Sequence, residues 1–510
     1  MSLKSNNIKL VLILLLLPVI GLSQTRKKVN IEQAEFLEFN EHIVKNAQRL
    51  IGNVIISHNN VRMWCDSAYS YTDTNMVDAF GHVHILKDDT LHMYSDYLNY
   101  NSGTKWARAT GNVKLVNKST TLTSDTLDFD MTRNVGYYND YGTIIDSTST
   151  LHSKIGEYYV DDNKAYFKTD VEVLSEDYTL DSDTLIYDTK TKIVSIVGPT
   201  RIRDEETALY AESGFYNSIT GSAELFENPE IIGKEQKVNA DSIFYDKPTG
   251  DGKAVGNARI EDFRNRMIVK GNRIVYNDLQ ETAMATDSAL FMLYSEKDTL
   301  FLHADTLKSV PDTVPDEKLV LAYFQVKFFR DDMQGKCDSM VYWSKDSTIQ
   351  LYHEPVVWSE NNQMTSEYIE MITQANGPDL VRMEQNAFIV AMEDSGRYNQ
   401  IKGRDMLGYI RNNELYKINV DGNGQSVYYA RDSKGLIGLN KAQSSNIEIY
   451  LDSSKVKKIV FIKAPDGELL PILDIPEEDK ELPGFQWLNA IRPKRMEDIF
   501  KKHQETKIAR

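Results

Sequence analysis

Residues 106–129 read WARATGNVKLVNKSTTLTSDTLDF and contain one full unit of the pattern that decides the fold. Ala107, Ala109, Gly111, Val113 and Leu115 alternate with other residues. A period of two is strand spacing, not helix spacing. After a polar turn at Asn117, Lys118 and Ser119 comes a second phrase, Leu122-Thr123-Ser124-Asp125-Thr126. It consists of an apolar residue, any residue, a small residue, an acid, then Ser or Thr, and it is followed by Leu127 and Phe129.

Working outward, the acid of this phrase serves as an anchor that recurs along the chain. It falls at Glu35, Asp66, Asp96, Asp125, Lys154, Asp183, Glu212, Asp241, Asn272, Asp305, Asp338 and Glu367, with five consecutive intervals of 29 residues between Asp96 and Asp241. The residue before the anchor is always small, as in Cys65, Ser95, Ser124, Ala240, Gly271 and Cys337. Two positions after it stand aliphatic residues (Leu98, Leu127, Leu185, Ile243), and four after it aromatic ones (Tyr100, Phe129, Tyr187, Tyr276). Each coil therefore supplies two strand segments joined by Asn-, Asp-, Lys- and Gly-rich turns. A lone pair of strands is marginal in water, so coils must stack. The expected fold is all-β: an elongated stacked-coil β-jellyroll or solenoid of about 12 repeats of about 29 residues. At ~4.8 Å per strand, such a rod is on the order of 55 to 60 Å long.

The inward parity changes at the anchor. Positions three and one before it are apolar or small, and so are positions two and four after it. A strand cannot change faces without an extra residue or a corner. Each acid and its following Ser or Thr is thus placed at a bend, where short side chains are expected to cap backbone amides.

The ends differ from the array. Lys4 and Lys9 precede the apolar run of residues 10–20, followed by Gly21, Ser23 and Gln24. This reads as a cleaved secretory signal over residues 1–24, too short to span a bilayer. Residues 25–375 form the repeat array, and 376–464 a divergent β continuation in which the register is lost, with a candidate last coil near Ile401-Lys402-Gly403-Arg404 and strand-like runs at 447–451 and 458–462. Residues 465–510 read as an acidic, proline-containing linker and a short helical tail, with helices at 485–491 and 493–503 and Pro493 suited to a first helical turn. A net charge of −17 argues against nucleic-acid binding. The two cysteines, Cys65 and Cys337, are too few for a disulfide framework or a zinc site.

The recurring Gly-x-Val-x-aliphatic phrase (Gly81-His82-Val83-His84-Ile85, Gly111-Asn112-Val113-Lys114-Leu115) and the small-Asp-x-Leu-x-Tyr phrase (Ser95 to Tyr100, Ser182 to Tyr187) resemble the OstA-like family of lipopolysaccharide-transport proteins over roughly residues 30 to 375. That resemblance implies a V-shaped, partly open β-coil whose apolar interior shelters lipid acyl chains in the periplasm. It also implies end-to-end association, through strand edges, with other components of the transport bridge or the outer-membrane translocon. The chain departs from the short bridge proteins in being much longer, and from the translocon in having no serial lipid-facing strands after residue 375.

On this reading the partner is lipopolysaccharide or the acyl chains of lipid A, located in the periplasm and reaching either membrane through partners. The groove lining is Val83, Ile85, Met93, Leu98, Val113, Leu115, Leu122, Leu127, Val171, Val173, Leu180 and Leu185. No catalytic constellation, metal site or cofactor motif stands out from the repeating acids, and no Asp-x-Asp-x-Asp loop supports Ca²⁺. The chain is not read as an enzyme. The same inward columns equally suit a dry, closed core. Two alternatives therefore stay open: a closed solenoid that binds or processes extracellular polysaccharide, and a structural envelope spacer.

Overall fold

In the computed structural model, residues 29–501 are described except 296–297, 316, 375–376, 395, 412–413, 434 and 453–454. The segment at 1–24, read from the sequence as a secretory signal, lies outside the described residues. The chain divides into two compact units, Met1–Thr169 and Asp170–Arg510.

The described part of the first unit is almost entirely strand. Ala47–His58, Val61–Tyr71, Met76–Lys87, Leu91–Asn101, Trp106–Asn117 and Thr120–Asp130 each pair antiparallel with the next, so the chain runs as a meander. Every ladder breaks once, near its middle. Phe80 pairs with Tyr97 and Val83 with Ser95, which leaves Gly81 and His82 opposite the single residue Asp96. This two-against-one bulge bends both strands. It divides each strand into halves that build two walls. Residues 76–80, 97–101, 106–110 and 126–130 lie in the first wall, and residues 83–87, 91–95, 113–117 and 120–124 in the second.

The bulge explains the parity change. Met93 and Ser95 are buried before the bend, and Leu98 and Tyr100 after it, so the skipped residue Asp96 keeps both halves facing inward. The corner needs two consecutive residues of positive φ, provided by Gly81 (72°) with His82 (44°) and by Gly111 (79°) with Asn112 (47°). Glycine is required twice over. A Cβ on Gly111 would lie 2.6 Å from Asp96 Oδ2, and one on Gly81 2.2 Å from Asp66 Oδ2.

The acids do sit at the bends, but what they bind differs from the expected backbone capping. Asn112 donates from Nδ2 to Asp96 Oδ2 at 2.8 Å, Asn53 to Glu35 Oε1 at 2.6 Å and Asn257 to Asp241 Oδ1 at 3.2 Å. The second residue of the bulge on the neighbouring strand thus supplies a side-chain donor. The anchor's own N–H donates to the carbonyl of the first bulge residue, as from Asp241 to Gly256 at 2.8 Å. The small column has its own task. Ser124, Ser182 and Ser366 each donate from Oγ to the carbonyl two residues on, at 3.0, 3.1 and 2.7 Å, pairing a carbonyl beside the ladder break.

The second unit repeats the plan with more interruptions. Thr179–Asp188 faces two short strands, Ile193–Ile196 and Thr200–Arg203, because Gly198-Pro199 interrupts what would be one kinked strand. The corner also recurs beyond residue 375, where the sequence register fades. Arg404 N–H donates to Gly422 O at 2.8 Å and Ser445 N–H to Lys463 O at 3.0 Å. Gln385–Asn386, Gly422–Asn423 and Lys463–Ala464 hold positive φ. The register fades because Arg and Ser replace the acid and the intervals lengthen, whereas the corner itself is a backbone arrangement.

The tail's helical character is confined to three 3₁₀ turns, Glu477–Asp479, Asn489–Ile491 and Met496–Phe500, without an α-helix among the described residues. Its conformation is set by docking on the outward face of the second unit's second wall. Gln400 donates to Lys480 O (2.7 Å) and accepts from Leu482 N–H (2.8 Å). Gln363 does the same with Gln486 O (2.8 Å) and Leu488 N–H (2.7 Å). Arg492 Nε donates to Gln334 Oε1 at 2.7 Å. Leu482 joins Phe388, Val390, Val427, Tyr429 and Leu439 in a cluster flanked by Phe485 and Trp487.

Two outcomes are expected. Gly111→Ala should destabilise the protein by about 1–2 kcal/mol from the left-handed backbone alone, with the Asp96 clash adding to it, as read by urea unfolding. The double variant Gln363→Ala with Gln400→Ala should cost about 1–3 kcal/mol per glutamine, since each leaves a tail N–H and carbonyl without its partner. It should also speed proteolytic cleavage between residues 480 and 490.

Candidate functional site

The interior between the two walls of each unit is the candidate site. Val83, Ile85, Met93, Leu98, Val113, Leu115, Leu122 and Leu127 point into that of the first unit, and Val171, Val173, Leu180 and Leu185 into that of the second. Leu98, Leu122, Leu127, Val173, Leu180 and Leu185 have no exposure, Val113 and Leu115 have 1 %, and the others no more than 3 %. The small column does not hold the walls apart at these positions. Ser95 and Cys65 are themselves buried, and the inward side chains of facing walls fill the space. At these twelve residues the trough is a packed core rather than an open groove.

The two walls are continuous only at the bend. At their far ends they meet through side chains, which close the mouth. In the first unit His58 Nδ1 lies 2.7 Å from the Tyr100 hydroxyl, and Asn117 Nδ2 donates to the Tyr158 hydroxyl at 3.2 Å. Lys87 bonds the Met131 carbonyl and the Asn134 side chain. In each clasp the second-wall residue reaches a first-wall partner 41 to 47 positions later. The second unit uses the same device, with Gln236 to Asp278 at 2.7 Å, Lys247 to Asp204 at 2.8 Å and Lys318 to Asp262 at 2.9 Å. Sequence reasoning missed these residues because they lie at turn-proximal strand ends, where polar residues are ordinary. The available signal was a polar residue in inward parity at a strand end, as at His58, Lys87 and Asn117.

The titratable groups follow from this geometry. Burial pushes the Tyr100 hydroxyl up to about 12 and holds Lys87 below the usual lysine range. The Cys65 thiol is pushed to about 12 by burial, and burial raises Cys337 too, so neither offers a thiolate. At the corner, the hydrogen bond and charge of Asp66 raise His82. On the outward face of the second wall, Trp64, His84 and Tyr94 stack across neighbouring strands, with centroids 4.9 and 4.5 Å apart. Among the described residues no cluster of three or more His, Cys, Asp or Glu forms a metal-binding group. No described helix is long and apolar enough to cross a membrane.

A two-wall interior of this kind buries apolar surface behind a mouth held by hydrogen bonds and ion pairs between side chains. Each clasp bond contributes about 0.5–1.5 kcal/mol net.

His82 is expected to titrate above the ordinary histidine value of about 6.5, by histidine-resolved NMR, and Asp66→Asn should bring it back. Because the folded pKa is raised, the pair's contribution is complete below the ordinary value and lost as pH rises through the raised one. The site is exposed, so global stability should barely respond.

Residues 26–183 match the model of a family described as OstA-like protein. No curated protein matches the chain. Among solved structures, a match is LptH of Pseudomonas aeruginosa, described as the LptA-homologous periplasmic component of the conserved lipopolysaccharide transport device. It is 19 % identical over 20 % of this chain and 79 % of that one, with a TM-score of 0.20.

Proposed function

With residues 26–183 an OstA-like region, we propose that this chain shelters the acyl chains of lipopolysaccharide between its two walls as the lipid passes through the periplasm to the outer membrane. The observation that carries the reading is the combination in the first unit of an apolar interior with a mouth closed by side-chain clasps alone. The clasp bonds oppose opening by about 2–5 kcal/mol. Burying about ten CH₂ groups of one acyl chain favours binding by about 8 kcal/mol, provided the chain takes the place of the wall-to-wall contacts that it parts. The chain acts by binding rather than by catalysis.

The partner surface on this reading is the N-terminal edge. Asn30–Gln33 and Phe36–Phe39 both pair with Ala47–His58, and Phe36, Leu37 and Phe39 are 59–67 % exposed. An added strand from another transport component would cover them. A second reading, a structural spacer with a permanently dry core, is favoured by the full burial of the twelve lining residues.

A photo-crosslinking side chain at Leu127 separates the two. Capture of lipopolysaccharide in cells from Leu127, but not from outward Asn99, is expected. Joining Asn117→Cys to Tyr158→Cys with a short bis-maleimide should lower that capture at least fivefold. Equal capture from both positions, or capture indifferent to the clamp, sinks the acyl-sheltering reading and leaves the spacer.

A further inference from the structure

Along the first wall of the second unit, one inward row crosses the strands in the order Tyr216, Ala223, Tyr245, Gly252, Tyr276, Ala283, Ser309, Val320, Tyr342. Descending strands place an aromatic ring in this row and ascending strands a smaller residue. The alternation keeps the row full: a Cβ on Gly252 would lie 1.9 Å from the Tyr276 ring, so that ring lies over the glycine. Ser309 breaks the alternation. It stands where neighbouring descending strands carry Tyr276 and Tyr342, and its ascending neighbour Ala283 supplies only a methyl group.

The missing ring leaves a cavity of about 390 Å³, within the range of small-ligand pockets. Its apolar lining is formed by Val238, Met267, Val269, Phe291 and Ala283, beside Tyr245, Tyr276 and Ser309. Its outer part reaches solvent at the mouth, where Gln236 bonds Asp278 and Lys318 bonds Asp262. Phe291 is 1 % exposed and its ring centroid lies 6.2 Å from that of Tyr342, so the far end is walled by packed rings.

We propose that this cavity is a built seat for one acyl chain, entered from the mouth, with the amphiphile's polar head left among the charged rim residues. The proposal rests on the acyl-sheltering reading and deepens it, by naming a point where the interior receives a chain without first separating packed walls. A wholly polar ligand is disfavoured because Val238, Met267, Val269, Phe291 and Ala283 offer it no side-chain hydrogen-bond partner. A bulky apolar one is disfavoured by the charged rim. A hydrocarbon tail with a polar head satisfies both ends.

The test uses the full-length mature chain and a dansyl-labelled medium-chain fatty acid, followed by fluorescence titration. Ser309→Tyr restores the missing ring and should weaken binding at least tenfold, while thermal unfolding stays at or above the wild-type midpoint. Ser309→Ala keeps the space open and should bind as wild type. Undiminished binding by Ser309→Tyr overturns the seat, and so does an equal loss in Ser309→Ala. The Leu127 crosslink reports separately on the broader reading. Lipopolysaccharide capture at Leu127 alongside undiminished fatty-acid binding by Ser309→Tyr removes the seat alone. A silent Leu127 with binding lost only in Ser309→Tyr removes the lipopolysaccharide reading and supports the seat.

Discussion

Every long strand in this array changes direction midway without changing which of its side chains face inward. A plain bend in a period-two strand would turn half of its apolar residues to solvent. The two-against-one bulge solves this by skipping one residue on the one-residue strand and two on the other, so alternation resumes in phase on both. Two consecutive positive-φ residues are the cost, and the array meets it with Gly followed by Asn or His at several corners, and with less suited pairs such as Phe324–Gln325 and His353–Glu354 elsewhere. The acid at the opposite position occupies the volume that a Cβ on Gly111 or Gly81 would need, and receives a side-chain hydrogen bond from the next residue. Conformation, packing and polar pairing therefore converge on one point in each coil.

From that corner the energetic asymmetry of the coil follows. One margin of the interior is closed by the continuous backbone of the bends, and the other by a few hydrogen bonds and ion pairs. The bends are covalent and their strands are held by ladders on either side, whereas clasps are single side-chain contacts. Inward leucines and valines with almost no exposure mean that the closed state is a good core in its own right.

The tail illustrates a different use of burial. Gln334, Gln363 and Gln400 are 4 % exposed or less although they face outward from the second wall, because residues 480–492 lie over them. An amide side chain offers both a donor and an acceptor, so Gln363 and Gln400 each satisfy a tail carbonyl and the N–H two residues on. The tail's backbone is read without reference to its side chains, while Leu482 and its aromatic neighbours add the apolar contact.

How much of this was legible follows from particular residues. The anchors from Glu35 to Glu367, the inward Leu98 and Leu127 and the turn between strands all follow from a local period of two and a repeat near 29. The strand content and inward faces were therefore determined by the sequence alone. The parity change placed the bend at the acid, but Gly111-Asn112 and Gly81-His82, read within alternating strand runs, did not show that they form its other half or that the acid would receive their side-chain hydrogen bond. The corner at Arg404 falls in the candidate coil of residues 401–404, whereas Ser445 concealed a later one, because the backbone bond defining a corner imposes no charge on the residue that makes it. The clasps, the tail's path over Gln363 and Gln400, and the space beside Ser309 join residues tens of positions apart. Only the stacking of one coil on another brings His58 to Tyr100, and only the packing between facing walls decides whether an inward residue meets another side chain or an empty volume.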